Sequence, residues 1–206
     1  MVTVLVTGFG PFPGAPFNPT APLVNRLARL RRSGVKIVPH VFPTSYAAVD
    51  HDFPVLIARH RPAALLMFGL APRARALRIE TRARNALSLL PDAAGASPLN
   101  HAIAARGPAV AALPAPVHTL LAAARAARVH TALSHDAGRY LCNYLCWRAA
   151  EATLRRGGPR VAAFIHVPSV RRGTAHVPPG KGRATLSDLV RAGAAVLAVI
   201  AVAARR

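Results

Sequence analysis

Apolar positions along this chain alternate between short unbroken runs and longer stretches spaced three and four apart. Residues 2–9 (VTVLVTGF) are continuously β-branched or apolar, the mark of a strand covered on both faces. Gly8 to Gly14 then crowds glycine and proline together and ends regular structure. Asn18-Pro19 predicts a helix start, with asparagine as cap and proline at the first position. That helix is expected to reach about Arg32, where Gly34 stops it. Val35–Phe42 reads as a second strand, Tyr46–His60 as a helix with a kink or early break at Pro54, and Ala63–Gly69 as a third strand. Leu77–Leu87 reads as extended with one polar side, and the proline-rich stretch from Pro91 to Pro116 as mostly loop. Then follow a helix (Val117–Arg128), a short strand (Val129–Ser134), a helix (Tyr140–Arg156) closed by Gly157-Gly158-Pro159, and a buried strand (Arg160–Val167). Arg171–Arg183 is expected to be loop. Thr185 with Asp188 three residues on predicts a capping box for the last helix, Leu186–Ala204, and Arg205-Arg206 complement its dipole.

Strands alternating with helices imply an α/β fold: a single domain over residues 1–206, three-layer α/β/α, with a mostly parallel twisted sheet. A chain of 206 residues fits one domain, and it buries roughly 70% of its unfolded surface without needing a disulfide or metal staple. No internal repeat or composition break divides it. The hydrophobic fraction of 52% excludes a disordered chain. Aromatics make up only 5%, so small aliphatic residues must fill most of the core. The longest apolar run, Ala192–Ala204, falls short of the ~20 residues that cross a bilayer. No basic segment followed by an apolar one opens the chain, so a cytoplasmic protein with no membrane partner is expected.

Charge changes the picture less than its size suggests. Lys+Arg is 27 against Asp+Glu 7, a formal net charge of +20. Such a balance raises a basic nucleic-acid-binding module as one reading. All but Lys36 and Lys181 of those cations are arginines, and they come in scattered pairs between apolar stretches rather than in a block. Arginine with abundant alanine is the residue usage of a GC-rich genome, so no nucleic-acid partner is expected. The scarcity of acid is more useful, because any chemistry that needs a carboxylate must draw on Asp50, Asp52, Glu80, Asp92, Asp136, Glu151 or Asp188.

In open α/β sheets, sites form where strands end. Cys142 follows the 129–134 strand and falls in the first turn of the next helix, where unpaired amides and the helix dipole favour a thiolate. It reads as a nucleophile or as a small buried hydrophobe, and Cys146, one turn on, as a buried hydrophobe. His166 ends an apolar strand before a proline-bearing loop, as a satisfied core histidine or as the general base a thiol needs. Glu80, between Arg78, Arg82 and Arg84, reads as a solvated ion pair or as the carboxylate that orients an imidazole. No HExxH or CxxC supports a metal, and neither a GxGxxG turn nor a GK[ST] loop supports a nucleotide, so no cofactor is expected.

Thr7–Phe12 with Asn18-Pro19, Glu80 with Asn85, Ala137–Asn143 and Phe164–Pro168, in that order and spacing over nearly the whole chain, together resemble the pyroglutamyl peptidase I (pyrrolidone-carboxylate peptidase) family of cysteine peptidases. Thr7-Gly8-Phe9-Gly10-Pro11-Phe12 with Asn18-Pro19 is similar to that family's TGF-x-PF…NP signature. Glu80 with Asn85 is similar to its E-x-x-x-x-N element, Ala137–Asn143 to AG-x-x-x-CN, and Phe164–Pro168 to FIH-x-P. The resemblance implies Cys142 as nucleophile, His166 as general base and Glu80 as its orienting carboxylate. It also implies removal of an N-terminal pyroglutamyl residue from peptides through an acyl-enzyme, and assembly into a dimer or tetramer. Phe9 and Phe12 correspond to aromatic pocket walls suited to a neutral lactam. Leu70 and Leu141 are expected beside that pocket, and Asn18, Asn85 and Asn143 are expected to be structural near the site. The chain departs from the pattern at Leu70, where glutamine is common, and at Leu89-Leu90-Pro91, where an arginine is common near the oxyanion; Arg82 or Arg84 are candidates to substitute for it. A diverged or inactive homologue acting on another amide or ester is the alternative within the same fold.

Overall fold

The computed structural model describes residues 1–171 and 184–205, so the loop expected from Arg171 onward lies outside the described residues except at Arg171, as does Arg206. In chain order the elements are β1 (Val2–Phe9), α1 (Thr20–Ala28), β2 (Val35–Phe42), α2 (Tyr46–His60), β3 (Ala64–Leu70), β4 (Leu77–Glu80) and β5 (Arg82–Arg84). They continue with β6 (Val110–Ala112), α3 (Val117–Ala126), β7 (Thr131–Ser134), α4 (Leu141–Thr153), β8 (Val161–Val167) and α5 (Leu186–Ala203). Six strands form one sheet in the order β2-β1-β3-β8-β4-β7, while β5 and β6 pair separately. Strands β2, β1, β3 and β8 run parallel, β4 is antiparallel to β8, and β7 is parallel to β4. The mostly parallel α/β sheet expected from the sequence therefore carries one reversal. Its cause is length: the 71–76 loop is shorter than the dozen or more residues a parallel crossover needs.

The sheet is covered on both faces. Leu23, Val24 and Leu27 of α1, Leu120 and Ala124 of α3, and the apolar side of α5 pack on one face against Val4, Val6, Leu66, Phe68, Ala163 and Ile165. Helices α2 and α4 cover the other face, against Leu5, Leu65, Met67, Ala162 and Phe164. Helix α5 starts at a complete Thr185–Asp188 capping box. Its 18 residues are long and apolar enough to cross a bilayer by length and composition alone, beyond the shorter apolar run read from the sequence. Here its Leu189, Val196, Leu197 and Ile200 are core residues of the aliphatic face.

Further expectations need correction. Helix α2 continues through Pro54, which is exposed, so the carbonyl left without an N–H partner can face water. The 77–87 segment is two strands rather than one. The Thr81 N–H donates to Ser134 O at 2.9 Å, and the chain then leaves the sheet to pair with β6, a short strand inside the stretch expected to be loop. Helix α1 begins at Thr20 rather than at Pro19, and α4 ends at Thr153 rather than near Arg156.

Candidate active site

Glu80, Cys142 and His166 meet on the α2/α4 side of the sheet, brought there by strand register. Alternation along β8 puts Phe164 and His166 on the same face. Glu80 lies opposite Phe164 in the antiparallel β4–β8 pair, so its carboxylate crosses diagonally to the histidine ring. Its Oε1 lies 2.8 Å from His166 Nδ1. Because an ionised carboxylate oxygen can only accept, this contact puts the ring proton on Nδ1 and leaves Nε2 for another partner. Glu80 is fully buried, and His166 is 7% exposed. The cross-strand partner of Glu80 is thus the imidazole and none of the neighbouring arginines.

The thiol reaches the ring from the opposite layer. Gly69 of β3 is register partner to His166 on β8, and the Cys142 sulfur sits over that glycine, 2.6 Å from where a β-carbon would be. Any side chain at 69 would collide with the sulfur and with Phe164 Cζ, also at 2.6 Å. The sulfur therefore sits over the register partner of His166, on the face that carries the imidazole. Burial disfavours the charged ring, but the Cys142 thiol and the Glu80 carboxylate outweigh that and raise His166 to about 9. The Glu80 carboxylate, and the charge on the Cys142 sulfur once its proton has passed to the ring, thus favour the imidazolium.

Cys142 owes its place to the turn before α4. Gly138 adopts φ +82, a left-handed conformation that suits glycine, and its N–H donates to Asp136 Oδ1 at 3.0 Å. Helix α4 then starts with Tyr140 as a cap that supplies no side-chain bond. Among the described residues, the N–H groups of Leu141, Cys142 and Asn143 have no acceptor, so they stand ready for negative charge beside the sulfur. Cys146, one turn on, is fully buried, and burial first, then the Cys142 and Glu80 charges, push its thiol well up.

The three asparagines clasp backbone. Asn143 accepts from Arg84 N–H at 2.7 Å and donates to the Arg84 and Ala86 carbonyls, tying α4 to β5 one residue past the sulfur. Asn85 exchanges two 2.8 Å bonds with the Ala104 backbone. Asn18 donates to Gly10 O at 3.0 Å and accepts from Thr20 N–H, which holds the loop after β1. Phe9 is buried, 5.9 Å from Phe42, in one apolar cluster with Leu141 and Phe164, against which Cys142 packs. Phe12 lies outside that cluster, half-buried and bonded backbone to backbone with Ala15. Leu70 is half-exposed at the end of β3, and Leu89 and Leu90 are exposed. Arg82 Nε donates to His135 O at 3.0 Å and Arg84 pairs with Asp136 Oδ2 at 3.0 Å. Among the described residues, no three His, Cys, Asp or Glu side chains gather into a metal site.

Sequence reading named Asp92 only among the available carboxylates and passed over Tyr46. Asp92, buried within a Pro-Asp…Gly turn that could have signalled it, accepts from the N–H groups of Tyr46, Ala94 and Ala96. Its burial opposes the charge, but those donors hold the carboxyl below its ordinary value.

A model of the pyroglutamyl peptidase family matches residues 2–206. The chain belongs to that family, which is one of cysteine peptidases. It is 32% identical over 193 residues to the pyrrolidone-carboxylate peptidase of Cupriavidus pinatubonensis, covering 93% of this chain and 89% of the relative. It is 33% identical to the enzyme of the same name from Thermococcus kodakarensis, with 80% of each chain covered. The crystal structure of the pyrrolidone carboxyl peptidase from Thermococcus litoralis superposes with a TM-score of 0.87 at 26% identity, over 97% of this chain and 93% of the other. This pyroglutamyl peptidase family member thus shares both sequence and fold with these relatives over most of its length, and the readings as a nucleic-acid-binding module or a diverged homologue are not favoured.

Proposed function

We propose that the protein, acting as one domain, removes an N-terminal pyroglutamyl residue from peptides through an acyl-enzyme on Cys142. The observation that carries this is the sulfur seated over Gly69 beside an imidazole whose Nδ1 is held 2.8 Å from Glu80. His166 takes the thiol proton, and Glu80 stabilises the imidazolium that results. The thiolate then attacks the pyroglutamyl carbonyl: a C–S bond forms, the C=O π pair moves to oxygen, and the free amides at the start of α4 receive that charge. As the pair returns, the C–N bond breaks and His166 gives its proton to the departing amine. Water, deprotonated by the same imidazole, releases pyroglutamate and regenerates the thiol.

Selectivity for a neutral N-terminus follows from where the carboxylates are. Glu80 is taken by His166, and Asp92, buried and close in sequence to the site, is taken by three backbone N–H groups. Asp92 is thus not left to receive the ammonium of an ordinary peptide, and Glu80 is fully buried and bonded to the imidazole, whereas an uncharged lactam suits the apolar surroundings of Phe9, Phe12, Leu70 and Leu141. The proposal includes a cytoplasmic setting, where the free thiols Cys142 and Cys146 stay reduced, and self-association into a dimer or tetramer. Hydrolysis of a pyroglutamyl-coumarin amide tests the reading. Turnover by the wild type that Cys142→Ala abolishes is the expected outcome, and a folded wild type without turnover, or a Cys142→Ala variant that retains it, would overturn it.

A further inference from the structure

Tyr46 stands at the start of α2, against the first turn of α4. Its ring meets Tyr140 edge-on at 5.9 Å and 85°, and Tyr144 at 5.1 Å and 80°, the two residues that bracket Cys142 in sequence. It packs, with Tyr140 and Cys142, on the apolar cluster that also holds Phe9 and Leu141. Its backbone N–H is tied to Asp92 Oδ2 at 2.9 Å, which fixes the position of the residue. Its hydroxyl is buried and finds no hydrogen-bond partner among the described residues. The neighbouring hydroxyls are engaged: Tyr140 donates to Pro91 O at 2.9 Å and Tyr144 bonds Asp50 at 2.6 Å. A buried polar group left without a partner is costly and calls for an explanation. A donor kept for a charge that exists only during reaction supplies one.

We propose that the Tyr46 hydroxyl is a catalytic hydrogen-bond donor to the oxyanion of the tetrahedral intermediate, acting together with the amides at the start of α4. When the thiolate adds to the carbonyl and the π pair moves to oxygen, that oxygen accepts from Tyr46 O–H. When the pair returns and the C–N bond breaks, the bond to Tyr46 weakens, and no proton leaves the phenol. The proton is well held. Burial first, then the nearby Tyr140, Asp92, Tyr144 and Cys142, raise this hydroxyl far above the ordinary tyrosine value. A neutral tyrosine is a suitable donor in a site where the Arg82 and Arg84 side chains are bonded to His135 O and Asp136 Oδ2. The inference rests on Cys142 being the nucleophile.

Tyr46→Phe removes the hydroxyl and keeps the ring. Expected is a fall in kcat of roughly 10²-fold with KM within about threefold, the size typical of one lost oxyanion donor. Binding of a pyroglutamyl aldehyde, which adds a thiolate to form the same tetrahedral oxygen, should weaken in parallel. Inhibition by 2-pyrrolidone, which occupies only the lactam pocket, and the rate of Cys142 alkylation by iodoacetamide should not change. Wild-type kcat in Tyr46→Phe overturns the proposal. Equal weakening of the aldehyde and of 2-pyrrolidone also overturns it, since the hydroxyl would then shape the lactam pocket. A fall in alkylation rate matching that in kcat overturns it too, since the hydroxyl would then act on the thiol. Cys142→Ala, run alongside, separates this from the reading beneath it: if that variant keeps its turnover, the nucleophile assignment fails first.

Discussion

The two faces of the sheet are built from different materials. The face under α1, α3 and α5 is aliphatic, with Phe68 its only fully buried aromatic ring among the described residues. The face under α2 and α4 gathers Phe9, Phe42, Phe53, Tyr144, Trp147 and Phe164, with both cysteines, and Glu80 and His166 project on the same side as Phe164. In a chain with only 5% aromatics, that concentration is informative. Aliphatic packing makes a stiff backing, and large rings with few rotamers hold a thiol, an imidazole and a carboxylate in register on the other side. One layer gives rigidity, and the other uses it.

Two glycines put that division to its hardest test. At Gly69, on the chemical face, an added methyl meets the Cys142 sulfur and Phe164 Cζ at 2.6 Å, and a packed ring behind the sulfur leaves little room to yield. At Gly193, on the aliphatic face, it meets the flexible ends of Leu27 at 3.1 and 3.4 Å. Gly69→Ala is expected to lower kcat/KM roughly 10²-fold or more, because a displacement of about 1 Å between nucleophile and base costs that much. Alkylation of Cys142 should slow with it. Gly193→Ala should leave turnover per folded molecule within about twofold, as checked by active-site titration. Equal losses in the two variants would mean that the faces are not functionally distinct.

A smaller effect probes how the chemical face sets proton affinity. His166 is raised to about 9, above the ordinary 6.5, so its contribution to folding stability is complete below about pH 6.5 and fades as pH rises through 9. The imidazolium–thiolate pair should fail over the same upper range, which puts the alkaline limb of kcat/KM near 9, a value that belongs to the coupled pair. Glu80→Gln removes the negative charge that favours the imidazolium, while burial continues to oppose it. The limb should therefore move to lower pH, with kcat falling about tenfold at neutral pH. A pH profile with its alkaline limb unmoved would show that Glu80 does not set the ring's proton affinity.

What the sequence revealed differs between the same regions. Strands β1, β3 and β8 were legible because a strand covered on both faces is a continuous apolar run, and α5 because Thr185 and Asp188 close a box within three residues. The reversal of β4 was not legible, since strand direction depends on the length of a connection and on β8, which comes more than eighty residues later. Cys142, His166 and Glu80 stood out by residue type and place, yet their convergence rests on the register of Gly69 with His166 and of Glu80 with Phe164, which no local pattern encodes. Tyr46 stayed hidden for a related reason. A tyrosine at a helix start looks ordinary until the structure shows its hydroxyl buried without a partner.

The finest comparison lies within one helix. Cys142 and Cys146 sit one turn apart on α4, on the same chemical face, and differ in what surrounds the sulfur. Cys142 is partly exposed beside His166 and three unpaired amides, whereas Cys146 is fully buried, its thiol held protonated by burial first and then by the charges of Cys142 and Glu80. A neutral buried thiol is a poor nucleophile and a small apolar filler. Cys146→Ala, which keeps the position apolar, should therefore leave kcat/KM within a few-fold. Iodoacetamide should label native wild type at one site, Cys142 by peptide mapping, and label Cys146 only after unfolding. Loss of turnover in Cys146→Ala as deep as in Cys142→Ala, with the fold intact by circular dichroism, would move the nucleophile one turn along the helix. That result would leave the amides at the start of α4 with no role in the chemistry.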